Sequence, residues 1–374
     1  MTETPTTITT VPPAPGERLA LAGAARRTVL PHSRPRHDPD TPASGPLPFT
    51  DGPEAMTWFT AARSDLEAQF AHLVQEGEDE AAAIFAAEAG ALWEIAGYWR
   101  TWHDLHRDGL IAATTAGLDD TVRHHLLSLA DALWRLGEPG AAAAAYRRAL
   151  ASAVGAADWW GAGFAHRGIA LLALEDGGTD GSESHLDGAA ECFRRCGDAR
   201  GTAMVVRSRA ALHLARGEAG PARAFAEQAL AEFTVLEDPW TLAWGRLEYG
   251  RILHATGEGA AAIAPLAAAA AVFDRFLDES SRSRAFGLLA DVAAASGDVI
   301  AAKRYRRAAE STQVPLPAAI RTRAIPPAAD PADAPSRGAM GEPRRTSGHH
   351  HPASPPAAPV GGAAACDDTT IEEY

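Results

Sequence analysis

The chain of 374 residues carries 34 basic and 48 acidic side chains, giving a formal net charge of −14 at pH 7, and 46% of its residues are hydrophobic. This length could hold two or three domains with a sizeable core, whereas the acidic balance disfavours direct nucleic-acid binding and the three cysteines exclude a disulfide framework. The N-terminus lacks the basic start and apolar run of a signal peptide. No window approaches the roughly 20 apolar residues of a membrane span. We therefore expect a cytoplasmic protein that binds no membrane.

The two ends of the chain differ in composition from its middle. Residues 1–52 are rich in Pro, Thr and Arg without periodic apolar spacing, which predicts a disordered N-terminal segment in which RLALAGAARRTVL forms at most a transient helix. Residues 313–374 are rich in Pro, Ala and Gly and are expected to be a disordered tail with an acidic C-terminus. Residues 53–312 are left as the folded domain.

Within that domain, glycine recurs at six positions spaced by 40 residues: Gly97, Gly137, Gly177, Gly217, Gly257 and Gly297. The residue seven positions before each glycine is Gly or Ala, and so is the residue twelve positions after it. An acidic residue recurs 21 positions after four of them: Asp158, Asp198, Asp238 and Asp278. Three columns in phase over six copies indicate an internal repeat.

These columns predict a helical hairpin as the repeating unit. The glycine is free to take a positive φ between two helices, the small residues allow close helix crossing, and the aspartate can cap the next helix. We therefore predict an all-α solenoid of about six 40-residue hairpins. The third copy, EDGGTDGSESHLDGAAECF, predicts a frayed or late-starting second helix.

The Gly-x-x-x-Ala…Ala-Leu pattern over about residues 80–312 resembles the tetratricopeptide repeat (TPR), in a variant with extended helices. The segments LPFTDGPEAMTWFTAARSDLEAQF and IAGYWRTWHDLHRDGLIAATTAG further resemble the entry to the repeat region of actinobacterial STAND-type transcriptional regulators, and the arginine bias also fits an actinobacterial genome. Those regulators normally carry a P-loop ATPase domain and often a winged-helix domain. Because no G-x-x-x-x-G-K-[ST] occurs here, the resemblance implies only the sensor or partner-binding repeat array.

No catalytic motif stands out, so we expect no catalytic residue, no cofactor, no metal and no enzymatic activity. Cys192 and Cys196 with His185 could hold zinc, but a fourth ligand is missing and packing is the favoured interpretation. The adjacent His124 and His125 are expected on a helix surface. Core packing is also favoured over a ligand cage for an aromatic cluster: Trp93, Tyr98, Trp99, Trp102, His103 and His106.

If the array binds a partner, the concave face built from the first helix of each hairpin is the expected surface. Counting back from the glycines, it passes through nine candidate groove residues: His124, Asp131, Trp134, Phe164, Arg167, Arg207, Trp244, Arg251 and His254. The arginines predict binding of an acidic peptide or protein, with the aromatic side chains holding its apolar residues. Salt bridges between neighbouring hairpins are the alternative role for these arginines.

The function predicted is therefore a protein- or peptide-binding adaptor or regulatory sensor of unknown oligomeric state. The acidic end AAACDDTTIEEY hangs on a tail long enough to reach the groove, so it could compete with an external peptide. Two alternatives stay open. One is a STAND-type transcriptional regulator, truncated or acting through a partner, and the other is a precursor or accessory protein of a ribosomally made modified peptide, with 363–374 as the modified segment.

Overall fold

A computed structural model describes residues 15–32 and 48–311, and all regular structure in these ranges is helical. The described part contains fourteen helices: α1 Pro15–Val29, α2 Gly52–Glu76, α3 Asp79–Ile95, α4 Trp99–Ala116, α5 Asp119–Arg135, α6 Pro139–Gly155, α7 Trp159–Glu175, α8 Thr179–Cys196, α9 Ala199–Ala215, α10 Ala219–Val235, α11 Pro239–Ala255, α12 Gly259–Arg275, α13 Glu279–Ala295 and α14 Val299–Glu310. From α3 onward they pair into six consecutive hairpins, which confirms the predicted TPR-like α-solenoid.

The turns repeat every 20 residues, twice as often as the sequence pattern revealed. The six predicted glycines all have positive φ, between 74° and 86°. Halfway between them, the turn from one hairpin to the next also needs a positive φ. Glycine supplies it at Gly77, Gly117 and Gly197, whereas Ala157, Glu237 and Leu277 adopt φ between 52° and 56° without that freedom.

The small-residue and aspartate columns have the predicted roles. A Cβ on Gly90 would lie 2.4 Å from Nε2 of His106, and one on Gly250 would lie 2.5 Å from Cγ of Leu266, so paired helices approach closely at these positions. The side chain of Asp158 accepts a hydrogen bond from the Gly161 amide at 2.9 Å and caps α7. The other three predicted aspartates cap their helices in the same way: Asp198, Asp238 and Asp278.

The prediction of a frayed helix in the third hairpin is wrong. Helix α8 is 18 residues long and begins in the same register as its counterparts. Ser182 stands where α6, α10 and α12 have alanine, and its hydroxyl donates to the carbonyls of Ala170 (2.8 Å) and Gly178 (2.7 Å). Leu186 and Phe193 are fully buried. The other polar residues of this segment therefore do not disturb the packed face.

The prediction of disorder across residues 1–52 is wrong for 15–32, while 1–14 and 33–47 lie outside the described residues. Helix α1 packs on α2 and α3 through buried alanines and Val29. The guanidinium of Arg26 donates to Glu88 at 3.2 Å, and both side chains are buried. Alanine contacts and long-range ion pairs leave no large-residue periodicity, which is why the sequence pattern misses this helix.

The array curves back so that its N-terminal helices touch its last two hairpins. A Cβ on Gly52 would lie 2.4 Å from the ring of Phe276, and Asp51 forms an ion pair with Arg275 at 3.6 Å. One hydrophobic cluster contains residues of α1–α3 together with residues of α11–α13. The concave face is therefore partly enclosed by the contact between the two ends.

Candidate ligand cavity on the concave face

A cavity of about 720 Å³ occupies this concave face. Eight of the nine predicted groove residues line it: His124, Asp131, Trp134, Phe164, Arg167, Arg207, Trp244 and Arg251. His254 does not, and its Nδ1 lies instead beside the start of α12, 3.9 Å from the position of a Cβ on Gly259. That these residues bind a ligand stays a prediction.

Further lining residues follow the same helical phase but lie outside the hairpins and positions from which the groove was predicted. Glu94 in the first hairpin matches Trp134 in the second, and Arg284 in the sixth matches Trp244 in the fifth. One helical turn nearer the N-terminus of the first helices, the same face adds Trp160, Arg200 and Trp240. By contrast, Trp102 of α4 and Arg26 and Leu30 near the end of α1 also line the cavity, and no repeat phase predicts them.

Arginines outnumber carboxylates in the cavity lining. Seven arginines line it: Arg26, Arg135, Arg167, Arg200, Arg207, Arg251 and Arg284. Four acidic residues do so: Glu94, Asp131, Glu175 and Glu248. The cavity is thus a basic site inside an acidic protein.

Four of these arginines, Arg135, Arg167, Arg207 and Arg284, have no carboxylate oxygen within 4 Å among residues 15–32 and 48–311. Arg167 contacts the next hairpin only through neutral groups, because its Nε donates to the Ser208 hydroxyl at 3.1 Å and to a backbone carbonyl. The alternative of carboxylate salt bridges between hairpins therefore fails for Arg167 and Arg207. It also fails for Arg251, whose carboxylate partner Glu248 is on its own helix.

Burial acts directly on these guanidinium groups. Burial, followed by the charge of nearby Arg167, lowers the pKa of Arg207 to about 9. Burial also lowers the pKa of Arg167, although Asp131 opposes the change, and it lowers the pKa of Arg284 together with the charge of Arg135. The cavity therefore concentrates desolvated positive charge that an anion would stabilise.

Three of the guanidinium groups surround one indole. The Arg135, Arg284 and Arg207 carbons lie 5.3, 5.8 and 5.9 Å from the ring centroid of Trp244. The indole nitrogens of Trp244 and Trp102 are buried and have no hydrogen-bond acceptor in the described structure. The cavity wall thus has donors in excess.

The acidic side chains of the cavity do not balance those donors. Asp131 accepts from the Tyr146 hydroxyl, and burial raises the pKa of Asp131. Burial, with a contribution from Asp131, raises the pKa of Glu94 to about 7. Glu175 accepts from Trp134 Nε1 at 2.7 Å. Around pH 7 the net charge of the lining is therefore positive.

The aromatic cluster at the first hairpin divides between core and cavity. Trp93 is fully buried and donates to Glu67 at 3.0 Å, as the core-packing interpretation expected. Trp102 is also buried but faces the cavity. This interpretation therefore holds for Trp93 and is incomplete for Trp102.

The prediction that His125 lies on a helix surface is wrong. His125 is fully buried, and its Nε2 lies 3.2 Å from the carbonyl of Ala83. Because a carbonyl only accepts, Nε2 carries the proton and Nδ1 accepts from His106 Nδ1 at 2.8 Å. His124, its neighbour, lines the cavity.

At the third hairpin, where zinc binding was the alternative, the neighbour of His185 is a second histidine, His166. Nδ1 of His185 lies 2.8 Å from Nδ1 of His166, across the hairpin. Cys192 is buried, and Cys196 donates to the carbonyl of Phe193 at 3.6 Å. In the described residues no group of three or more His, Cys, Asp or Glu side chains is placed to hold a metal ion.

No family model and no curated protein matches the chain. Solved structures of helical-repeat proteins do match it. A tetratricopeptide repeat protein from Parabacteroides merdae is 18% identical with a TM-score of 0.46, covering 70% of this chain and 91% of its own. BtubC from P. vanneervenii is 19% identical with a TM-score of 0.42, covering 73% and 99%.

The quorum sensor NprR from B. thuringiensis, in its apo form, is 13% identical with a TM-score of 0.44, covering 69% of this chain and 85% of its own. These likenesses concern the helical-repeat fold alone. None of the helices in the described ranges has the length and apolar character that crossing a membrane requires.

Proposed function

We propose that this chain is a non-catalytic repeat scaffold, an adaptor or regulatory sensor, that binds an acidic peptide or protein segment in the concave cavity. The observation that carries the proposal is a set of four cavity-lining arginines without a carboxylate partner in the described residues, of which Arg167 and Arg207 are half-buried. Such charges are costly unless compensated, and a guanidinium offers a fork of donors that matches a carboxylate.

The remainder of the lining suits the apolar part of the same ligand. Trp160 and Phe164 pack with ring centroids 4.2 Å apart, and Trp134 and Trp244 line the same cavity. Aromatic side chains provide large apolar contact areas at little cost in conformational entropy. Charged donors beside aromatic walls support a ligand that is both acidic and apolar.

The direct test is fluorescence anisotropy with a labelled acidic peptide of sequence AAACDDTTIEEY, taken from residues 363–374. Its control is AAACNNTTIQQY, which has the same shape without side-chain charge. We expect the acidic peptide to bind at least about tenfold more tightly, and the double variant R167Q/R207Q to lose most of that difference. Arg147→Gln, which changes an exposed arginine of α6, should leave it intact.

Equal binding of both peptides to all these proteins would contradict the proposal. The C-terminal tail adds a separate question, since it lies outside the described residues. If the tail occupies the cavity, deletion of 313–374 should tighten peptide binding, and an unchanged affinity would remove the tail as an occupant. The alternatives of a STAND-type regulator and of a modified-peptide precursor draw no support from the cavity contacts.

A further inference from the structure

We infer that the part of the cavity around Trp244 is a subsite for an aromatic carboxylate, meaning a flat ring that bears a carboxylate group. This inference rests on the proposed use of the cavity for ligand binding and names the group that is recognised. The source is either a free small acid or the C-terminal aromatic residue of a peptide, because both present the same ring and the same anion.

The anionic part of the inference follows from the donors around Trp244. Arg135, Arg207 and Arg284 approach its ring from three different helices, α5, α9 and α13. None of them is paired with a carboxylate in the described structure, and the buried indole N–H of Trp244 has no acceptor there. A carboxylate offers two oxygens with several lone pairs, enough to accept from two of these guanidinium groups.

The aromatic part follows from what surrounds those donors. Trp244 packs edge-on against Phe273 at 5.6 Å and against Trp240 at 6.2 Å, and it belongs to the same lining as Leu247. An inorganic anion would satisfy the arginines but leave this apolar wall exposed to water. A neutral ring would cover the wall but leave the arginines uncompensated.

The size of the cavity limits the ligand further. A volume of about 720 Å³ lies within the range of roughly 300–1,000 Å³ of pockets for small ligands. The contact between Gly52 at the start of α2 and Phe276 at the end of α12 helps to enclose the concave face. A small acid or the end of a peptide fits such a space, whereas a folded domain does not.

The experiment measures 2-naphthoate and its neutral isostere 2-naphthamide by isothermal titration calorimetry on the full chain. We expect naphthoate to bind about tenfold or more tightly than the amide. Arg207→Gln and Arg284→Gln should each remove at least about half of this difference on a logarithmic scale. Arg147→Gln, at an exposed site of α6, should keep the full difference.

A loss of folding cannot imitate the expected result, because each variant is also followed by thermal unfolding. Removing the half-buried charge of Arg207 or the exposed charge of Arg284, neither of which has a carboxylate partner in the described structure, should leave the unfolding temperature unchanged or raise it. The peptide Glu-Glu-Phe, with a free or an amidated C-terminus, then identifies the source. Displacement of naphthoate by the free acid alone indicates a peptide end, and no displacement by either form indicates a small acid.

Equal affinity for naphthoate and naphthamide, or no binding of either, overturns the inference. If naphthoate fails while the acidic peptide of the anisotropy test binds, the subsite is refuted and the proposed function stands. If both fail, the proposed function falls with it.

Discussion

The turn at Ala157 should become more stable when glycine replaces alanine, and the equivalent turn at Gly137 should become less stable under the reverse change. The two positions lie 20 residues apart in successive turns, with φ of 54° at Ala157 and 79° at Gly137. A Cβ on Gly137 would meet nothing within 4 Å, and Ala157 is exposed. The variants Ala157→Gly and Gly137→Ala are therefore reciprocal substitutions, and neither changes side-chain packing.

The magnitude follows from two opposing contributions. A residue with a Cβ pays about 1–2 kcal/mol in the left-handed region. Alanine also lowers the conformational entropy of the unfolded chain relative to glycine, which stabilises the folded state by about 0.4–1 kcal/mol. The difference predicts that Ala157→Gly raises the free energy of unfolding by about 0.5–1 kcal/mol and that Gly137→Ala lowers it by a similar amount.

The measurement is urea unfolding followed by circular dichroism at one pH, with Gly287→Ala as control. Gly287 lies in the interior of α13 without a positive φ and with open space around its Cβ position. Alanine there should therefore stabilise the helix by about 1 kcal/mol. If Gly137→Ala and Gly287→Ala shifted stability in the same direction, backbone conformation at the turn could not be the determinant.

Two further predictions concern buried polar groups. Arg26→Met should lower the free energy of unfolding by about 1.5–3 kcal/mol because it removes a charge-assisted hydrogen bond to the buried Glu88 carboxylate, while the double variant R26M/E88L should recover part of the loss in the same urea assay; an equal loss in both would mean that Arg26 acts through packing. Burial lowers the pKa of His125 to about 3 and that of His106 well below its usual value. The unfolded chain therefore binds more protons below about pH 6.5, and His125 costs about 2 kcal/mol of stability by pH 5. Glu94, with its pKa raised to about 7, works in the opposite direction, so the test is the slope of unfolding free energy against pH between 6 and 5. That slope should fall by about 1 kcal/mol per pH unit in His125→Gln, and an unchanged slope would refute the assignment.

The repeat could be predicted from sequence because each unit needs the same backbone events. A positive φ at the hairpin turn selects glycine, and close helix crossing selects small residues such as Gly90 and Gly250. These requirements are local and return every 40 residues, so they leave a visible period. Counting from the same glycines also placed eight of the nine predicted groove residues on the cavity, since helical phase decides which side chains face inward.

The features that were missed depend on contacts between distant parts of the chain. Helix α1 packs through small side chains and forms the ion pair Arg26–Glu88, and neither feature leaves a periodic pattern in the sequence. The burial of His125 requires His106 on another helix, and a histidine alone gives no sign of such a partner. The contact of Gly52 with Phe276 joins α2 to the end of α12, and the curvature that brings them together accumulates over all the intervening hairpins.

The hairpins are most alike at the positions where their helices cross and differ most at positions that line the cavity. Seven residues before the turn glycines, every hairpin has Gly or Ala, because two helices cross there. Thirteen residues before the same glycines, the second to sixth hairpins carry five different side chains: His124, Phe164, Met204, Trp244 and Arg284. This column faces the cavity, and although Phe164 and Trp244 also pack on Phe193 and Phe273 of their paired helices, it accommodates residues as different as histidine, methionine and arginine. Making all hairpins identical at this column would be compatible with the solenoid, but it would remove the single indole around which Arg135, Arg207 and Arg284 converge, and with it the asymmetry by which a cavity built from repeats can recognise one ligand.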